Sequence, residues 1–477
     1  MFTASEAEQL IFTLVTPLDS NDSDASEVID IRSARHSLDC LGRILSASVR
    51  SSLDFPHWDN SAMDGYAVRA EDVQQTPVTL SVVEEIPAGQ HPQKTIESGQ
   101  AARIFTGAMM PLGADTVVMQ ENTTREEITQ EKTTQAKSVQ EGTAPTASKE
   151  ATDSKVDQTH AVTVLQPPSH SGAFVRRRGD FYRSGNELLP VGRVISPAEI
   201  ALLSAAQQTQ VNVYRRIRVA VLSTGNELVT LDQTLNPGQI IDSNQYALCA
   251  LVAQVNALPL PLGIVKDSKS AVKESIVQAL TQADIILSTG GVSVGDYDYI
   301  DEVLEELGAT LHIRSVAVKP GKPLTVASFD SSIQKSMDKF YPSDKSRVER
   351  RPIIQPVNMF NPRPLYFGLP GNPASAMVGF WRFVAPAIAK LSGQSGPWSP
   401  SFVWAKTSSD LHAGGKRETY LWGQLQSDEQ GFVFTQATGG HSSGNLVNLV
   451  NTSGLGVVPQ GETQIEAGAP VRVLKIR

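Results

Sequence analysis

From residue 217 to residue 391 the sequence alternates short apolar runs with stretches of helical periodicity, and this alternation restricts the fold more than anything else in the chain. Residues 217–222, 260–265, 284–287, 311–318 and 365–368 read as buried strands. Residues 246–256 and 269–282, the set Tyr299, Ile300, Val303, Leu304 and Leu307, and a run ending near Leu391 read as helices. Strand–helix repetition of this kind builds a parallel α/β sheet with right-handed crossovers. Ligands of such sheets sit beyond the carboxyl ends of the strands. Glu227, Asp267, Asp298 and Lys319 each follow an expected strand end, so four charged side chains distant in sequence are expected to converge on one edge.

The loops on that edge carry chemistry of their own. Residues 288–298 read Ser-Thr-Gly-Gly-Val-Ser-Val-Gly-Asp-Tyr-Asp. Gly290, Gly291 and Gly295 allow sharp bends and close approach to a ligand, and the N–H groups of such a loop, with a helix N-terminus, attract anions. Asp296 and Asp298 bring the opposite charge, which suits a divalent cation held between carboxylates and a phosphate. The turn Lys319-Pro-Gly-Lys-Pro323 adds Lys322. In Leu369-Pro-Gly-Asn-Pro-Ala-Ser375 the chain enters its last helix here, with Pro373 at the first helical position and Ser375 and the first-turn amides as donors. A single carboxylate after a strand is equally a helix N-cap; the set of acids with two lysines is what points to a site.

The flanking regions read differently. Residues 31–49 place Leu38, Leu41, Ile44 and Leu45 at the spacing of one helix face. Residues 55–68 form a turn-rich loop around Asp64; residues 78–85 alternate as a strand; residues 103–119 read as strand, Thr106-Gly107 loop, turn and strand. Asn122 to His160 is Thr-, Gln-, Lys- and Glu-rich without Phe, Tyr, Trp or Leu, a composition expected to remain disordered. Arg176, Arg177 and Arg178 cannot all share one face, so at most two would meet a phosphate. Ser196-Pro-Ala-Glu199 has the form of a capping box. Residues 330–361 are a second polar insertion. The tail after residue 399 reads as a small β-domain, with Arg417 and the His441-Ser-Ser-Gly444 turn as its ligand contacts.

A net charge of −9 over 477 residues argues against nucleic acid as the partner. Two separated cysteines suit a reducing setting. No signal-peptide pattern and no long apolar run is present, so a cytoplasmic protein without a membrane span is expected.

Six segments, in order, resemble one family. They are Asp59-Asn-Ser-Ala-Met-Asp-Gly-Tyr-Ala, Phe105-Thr-Gly-Ala, Ser223-Thr-Gly-Asn-Glu-Leu, Gly290-Gly-Val-Ser-Val-Gly, Lys319-Pro-Gly-Lys-Pro and Gly368-Leu-Pro-Gly-Asn-Pro. The family is the molybdopterin molybdenumtransferases, bacterial relatives of the gephyrin E domain. The resemblance implies a multidomain α/β plus β protein. Residues 1–54 and 176–214 would be a mixed N-terminal domain. Residues 55–175 would be a protruding β-rich domain with the insertion 122–160. Residues 215–398 would be the molybdopterin-binding α/β domain with the insertion 330–361, and 399–477 a C-terminal β-barrel. It further implies a homodimer in which Asp64 and Thr106 act on the α/β site of the other subunit.

The reaction so implied inserts molybdate into adenylylated molybdopterin with Mg²⁺ and releases AMP. Glu227, Asp267 and Asp298 would hold Mg²⁺ or orient an attacking oxygen, supported by Asp242. Lys319 and Lys322 would bind oxyanion oxygens with Ser293, Ser375, Arg417 and Ser443. Gly290, Gly291, Gly295, Pro370, Gly371, Asn372 and Pro373 would shape the ligand loops. The molybdopterin adenylyltransferase and recipient molybdoenzymes are the partners implied. Two departures stand out: Ser315, beside Arg314, occupies a position that is often basic in the family, and Phe181, after Asp180, replaces an acid. A dimeric peptide-binding scaffold of the gephyrin E type, without catalysis, is the alternative from another class. An adenylyltransferase on the same α/β domain would form the adenylylated pterin instead of consuming it.

Overall fold

The computed structural model describes residues 1–22, 24–127, 160–291, 299–329 and 364–476. The chain forms two compact units, Met1–Ser48 with Leu189–Arg477, and Val49–Leu188.

The first unit is built on a six-stranded sheet of β1 (Arg218–Thr224), β2 (Leu258–Val265), β3 (Ile285–Thr289), β4 (Thr310–Ser315), β5 (Pro323–Ser328) and β6 (Leu365–Leu369), in the order β2-β1-β3-β6-β5-β4. The four strands β2, β1, β3 and β6 are parallel, as expected. β5 is antiparallel to β6, and β4 to β5. The sheet is therefore mixed at one edge, not parallel throughout. The turn from Ser315 to Pro323 is too short for a crossover, which needs a dozen residues or more, so β4 and β5 can only pair as a hairpin. Two reversals leave β4 running with the parallel strands, and the lysine turn that follows it still emerges on their carboxyl edge. At the other end of β5, Phe329 N–H donates to Pro364 O at 3.1 Å and Ser328 pairs with Leu365.

Both faces of the sheet are covered, which is why its strands read as continuous apolar runs. Val219, Val221, Ile285, Leu287, Phe367 and Leu369 face one core, shared with Ala7 and Ile11 of helix Ala4–Leu14 and Leu248 and Val252 of helix Asn244–Gln254. Ala220, Leu222, Ile286 and Tyr366 face the other, against Val272, Ile276, Val303 and Leu304 from helices Lys269–Leu280 and Tyr299–Glu306. Each such buried valine, leucine, isoleucine or phenylalanine contributes about 1.5–3 kcal/mol of transfer free energy.

The helix expected over 31–49 does not form. Ser33 caps only Ala34–Ser37, a 3₁₀ turn follows, and Gly42 turns the chain at φ 73°. Leu38 and Leu41 are exposed, while Ile44 and Leu45 are buried as isolated bridges to Val194 and Val213. The capping box at Ser196 is present. Ala198 N–H donates to Ser196 Oγ at 3.2 Å and Ser196 N–H to Glu199 Oε2 at 2.9 Å, opening helix Pro197–Ala205. The Ser196 hydroxyl, against the upward push of burial and with help from Arg193, brings the Glu199 carboxyl from its usual 4.5 down to about 2. Because the folded value lies below the unfolded one, this stabilisation is complete above about pH 4.5 and is lost as pH falls toward 2. Acid titration followed by circular dichroism is expected to show that loss in the unmutated protein and not in Glu199→Gln.

The C-terminal strands close on themselves. β7 (Phe402–Thr407), β8 (Glu418–Asp428), β9 (Gly431–Gln436), β10 (Gly454–Val458) and β11 (Pro470–Lys475) pair in the ring β8-β9-β7-β11-β10-β8. Phe434 fills the interior, and Gly423 and Gly456 make room for it; a Cβ on Gly456 would lie 2.5 Å from its ring.

The second unit is one curled sheet, in the order Thr116–Met119, Gly65–Val68, Gln100–Ile104, Val78–Ile86, His160–Val164, Thr123–Glu127. The polar stretch begins as strand, with Thr123 opposite Val164 and Glu127 opposite His160. β-branched threonines facing an apolar partner strand favour this pairing. Two arginines of the basic cluster are paired with the turn-rich loop before Asp64: Arg177 meets Asp59 at 2.8 Å and Arg178 meets Asp54 at 2.5 Å. Among the described residues no helix is long and apolar enough to cross a membrane.

Candidate functional site

Beyond the carboxyl ends of β1, β3 and β6 lies a cavity of about 700 Å³. Thr224, Thr289, Gly290 and Gly291 come from the ends of β1 and β3; Glu227, Leu228, Ile240 and Asn244 form one wall. The 319–323 turn and Pro370, Gly371, Asn372 and Ser375 form another, and Arg417, His441, Ser442 and Ser443 reach in from the barrel.

The glycines are required where β3 ends. Gly290 has φ 85°, and a Cβ there would lie 2.3 Å from the Thr224 carbonyl oxygen. Gly291 has φ 63°, with Thr224 Oγ1 and Ile300 crowding the same place. Left-handed backbone and close packing together exclude other residues. Gly225 serves Glu227: a Cβ at Gly225 would stand 2.8 Å from both carboxylate oxygens, so the acid folds back over its own loop. Asn244 Nδ2 donates to Gly371 O at 2.7 Å, joining the loop before its helix to the Pro-Gly-Asn-Pro turn.

The barrel is hydrogen-bonded directly to this edge. Val318 and Lys319 pair parallel with Glu418 and Thr419. Glu418 N–H donates to Ala317 O at 2.9 Å, and Arg417 Nη1 to Val318 O at 3.1 Å. Ala374 N–H donates to Ser443 O at 3.0 Å, so this first-turn amide is used by the barrel and is not open to a ligand. The His441 ring lies 4.4 Å from Trp422, and burial pushes its pKa down, leaving it uncharged near neutral pH. Among the described lining residues the charged side chains are Lys319, Lys322, Arg417 and Glu227: three cations and one acid, a net +2 within a chain of net −9. A local excess of positive charge of this kind favours an anion.

Of the residues singled out from sequence, Glu227, Gly290, Gly291, Lys319, Lys322, Pro370, Gly371, Asn372, Ser375, Arg417 and Ser443 meet here. Asp267 is not on the wall, but its N–H donates to Asn226 Oδ1 at 3.2 Å, beside Glu227. Asp242 is buried and accepts from Gln245 N–H at 3.2 Å, the role of a helix cap. Pro373 opens the helix without lining the cavity. Ser293, Gly295 and Asp298 lie outside the described residues, and among those described no group of three His, Cys, Asp or Glu gathers as a metal site. Arg314 is tied to Asp301 at 2.8 Å and Glu305 at 2.9 Å, and does not replace the base missing at Ser315. Asp180 accepts from Arg177 N–H at 2.7 Å, while Phe181 is exposed. Thr224, Thr289 and Asn244 were not singled out; threonines ending two neighbouring strands were the available signal.

In the second unit, Asp64 and Thr106 do come together. The Thr106 N–H and hydroxyl both donate to Asp64 Oδ1 at 2.7 Å, and these bonds hold the carboxyl below its usual range.

Residues 2–206 match the family of MoeA N-terminal regions (domain I and II). Residues 220–390 match the family described as probable molybdopterin binding domain, and residues 405–476 the MoeA C-terminal region (domain IV). A molybdopterin molybdenumtransferase from Nostoc sp. is 48% identical over 100% of this chain and 94% of its own length. One from Haemophilus influenzae is 31% identical over 90% of each. A crystal structure of the molybdopterin biosynthesis MoeA protein from Pyrococcus horikoshii covers 100% of both chains with a TM-score of 0.71 at 22% identity, a likeness of fold.

Proposed function

Because the chain belongs to the MoeA family, we propose that it is a molybdopterin molybdenumtransferase, an enzyme of molybdenum cofactor biosynthesis that inserts molybdate into adenylylated molybdopterin and releases AMP. The observation that carries this reading is the net +2 cavity at the carboxyl edge of the sheet, large enough for a pterin–nucleotide and walled by Lys319, Lys322 and Arg417. Cleaving a phosphoanhydride requires charge on its oxygens to be neutralised by groups already in place. In this reading the lysines, Arg417, Ser375 and Ser443 bind molybdate and phosphate oxygens, and the Gly290–Gly291 backbone lets the phosphates approach.

Mg²⁺ suits the acids at hand. It takes oxygen donors, commonly one or two carboxylates completed by substrate phosphates. Glu227, exposed and folded over Gly225, and Asp267, whose N–H is held by Asn226, supply such oxygens on adjoining loops; Asp298 is assigned to the same group. Bound there, the ion would neutralise phosphate charge. The enzyme is read as a cytoplasmic homodimer, with Asp64 and Thr106 acting from the second copy.

The test is AMP release from adenylylated molybdopterin with molybdate present. Release dependent on Mg²⁺, and lost in folded Asp267→Ala protein, is the expected result. No AMP release by the unmutated protein would rule the reading out and leave a non-catalytic scaffold.

A further inference from the structure

Strand β8 begins one residue after Arg417, and alternation along it sends Tyr420 and Trp422 out of the barrel, into the core shared with the α/β sheet. Tyr420 is 1% exposed. Its hydroxyl accepts from Arg382 Nε at 3.0 Å and donates to Glu418 Oε1 at 2.5 Å. Burial holds the phenol far above its usual range, so it stays a neutral donor and acceptor. Arg382, 5% exposed, belongs to the π-helical turn Phe380–Val384. It donates through Nη1 to Glu8 Oε2, and Ser399 Oγ donates to Glu8 Oε1.

A buried ion pair is weak support for stability, because apolar side chains of equal volume commonly serve as well. What this network supplies is register between elements. The helical segment that begins at Pro373 carries Ser375 in the cavity wall and Arg382 seven residues further on. Strand β8 carries Tyr420 three residues after Arg417, which lines the facing wall. Arg382 and Tyr420 join the two elements, and Glu8 fixes Arg382 from a third.

We infer that Arg382 and Tyr420 are positioning residues: by locking β8 to the helix after the Pro-Gly-Asn-Pro turn, they set where the Arg417 guanidinium stands in the anion cavity. This rests on the reading of that cavity as an oxyanion site. Neither residue lines the cavity.

Titration calorimetry of the full chain with molybdate alone, well below each variant's melting temperature, tests the assignment. Tyr420→Phe keeps the ring but removes both bonds of the hydroxyl, to Arg382 and to Glu418. It is expected to weaken molybdate binding by about tenfold, within the roughly 0.5–2 kcal/mol by which residues that contact neither ligand modulate a site. Added to Arg417→Ala it is expected to weaken binding no further, since residues acting through one group are non-additive. Arg382→Lys keeps the charge but not the planar fork, and is expected to weaken binding in the same way. Unchanged molybdate affinity in Tyr420→Phe and Arg382→Lys, or losses fully additive with Arg417→Ala, overturns the positioning role even where melting temperature falls. No molybdate binding by the unmutated protein overturns the oxyanion reading and the positioning role with it.

Discussion

Lys319→Ala is expected to lower kcat/KM for molybdate insertion by about 10²–10³-fold, the loss that follows removal of one preorganised electrostatic group at a reacting centre. Its ammonium is exposed on the cavity wall, while its backbone is fixed by pairing with Thr419. The strand pairing survives the substitution, so stability should change by no more than about 0.5 kcal/mol. Lys319→Arg restores charge but brings a planar fork where a compact ammonium stood, and only part of the activity should return. Steady-state kinetics with a thermal melt on the same preparations checks both. A fall in kcat/KM of less than about fivefold, small against the expected effect of such a group, would remove Lys319 from the reaction.

Gly290→Ala is expected to do damage of a different kind. The new methyl would meet the Thr224 carbonyl at 2.3 Å on a backbone of φ 85°. Left-handed strain alone costs about 1–3 kcal/mol, and here β1 and β3 must also move apart at the site. Thermal unfolding should show that loss, and molybdate and AMP affinity should fall with it. Gly308→Ala is the control. Its φ is 80°, but nothing lies within 4 Å of the added atom, so it should lower the melting temperature and leave ligand affinity unchanged. Equal effects of the two substitutions on affinity would mean that the turn after β3 has no special place in the cavity.

Much of the site could be read from the chain because its residues sit at strand ends, and strand ends are marked by local signals. The apolar run before Ser288 and the Lys-Pro-Gly-Lys-Pro turn are such signals. So is the capping box at Ser196, which the structure forms with the same Ser196 and Glu199. Pairing direction is not local. Pro323-Leu-Thr-Val-Ala-Ser328 is not among the strands read from the sequence, and nothing in it says that it runs against β6; only the shortness of the turn before it excludes a crossover. The leucine spacing in residues 31–49 misled because helical periodicity also arises by chance over a few turns, and Gly42 ends the helix early. Asp242 enters the ligand set only through the resemblance, and its bond from Gln245 N–H shows that the same carboxylate also serves as a helix cap. Arg382 and Tyr420 carried no motif, because their roles depend on a barrel strand meeting a helix from elsewhere in the chain.

The joint between β5 and β6 has a practical meaning. Phe329 and Pro364 are clasped to each other at the sheet margin opposite the cavity, on neighbouring antiparallel strands. The cost of closing a loop between two ends already held together grows only logarithmically with its length, by roughly 0.6 kcal/mol for each doubling. That junction is where evolution, or an engineer splicing in a reporter, can vary length at small thermodynamic cost without disturbing the cavity edge.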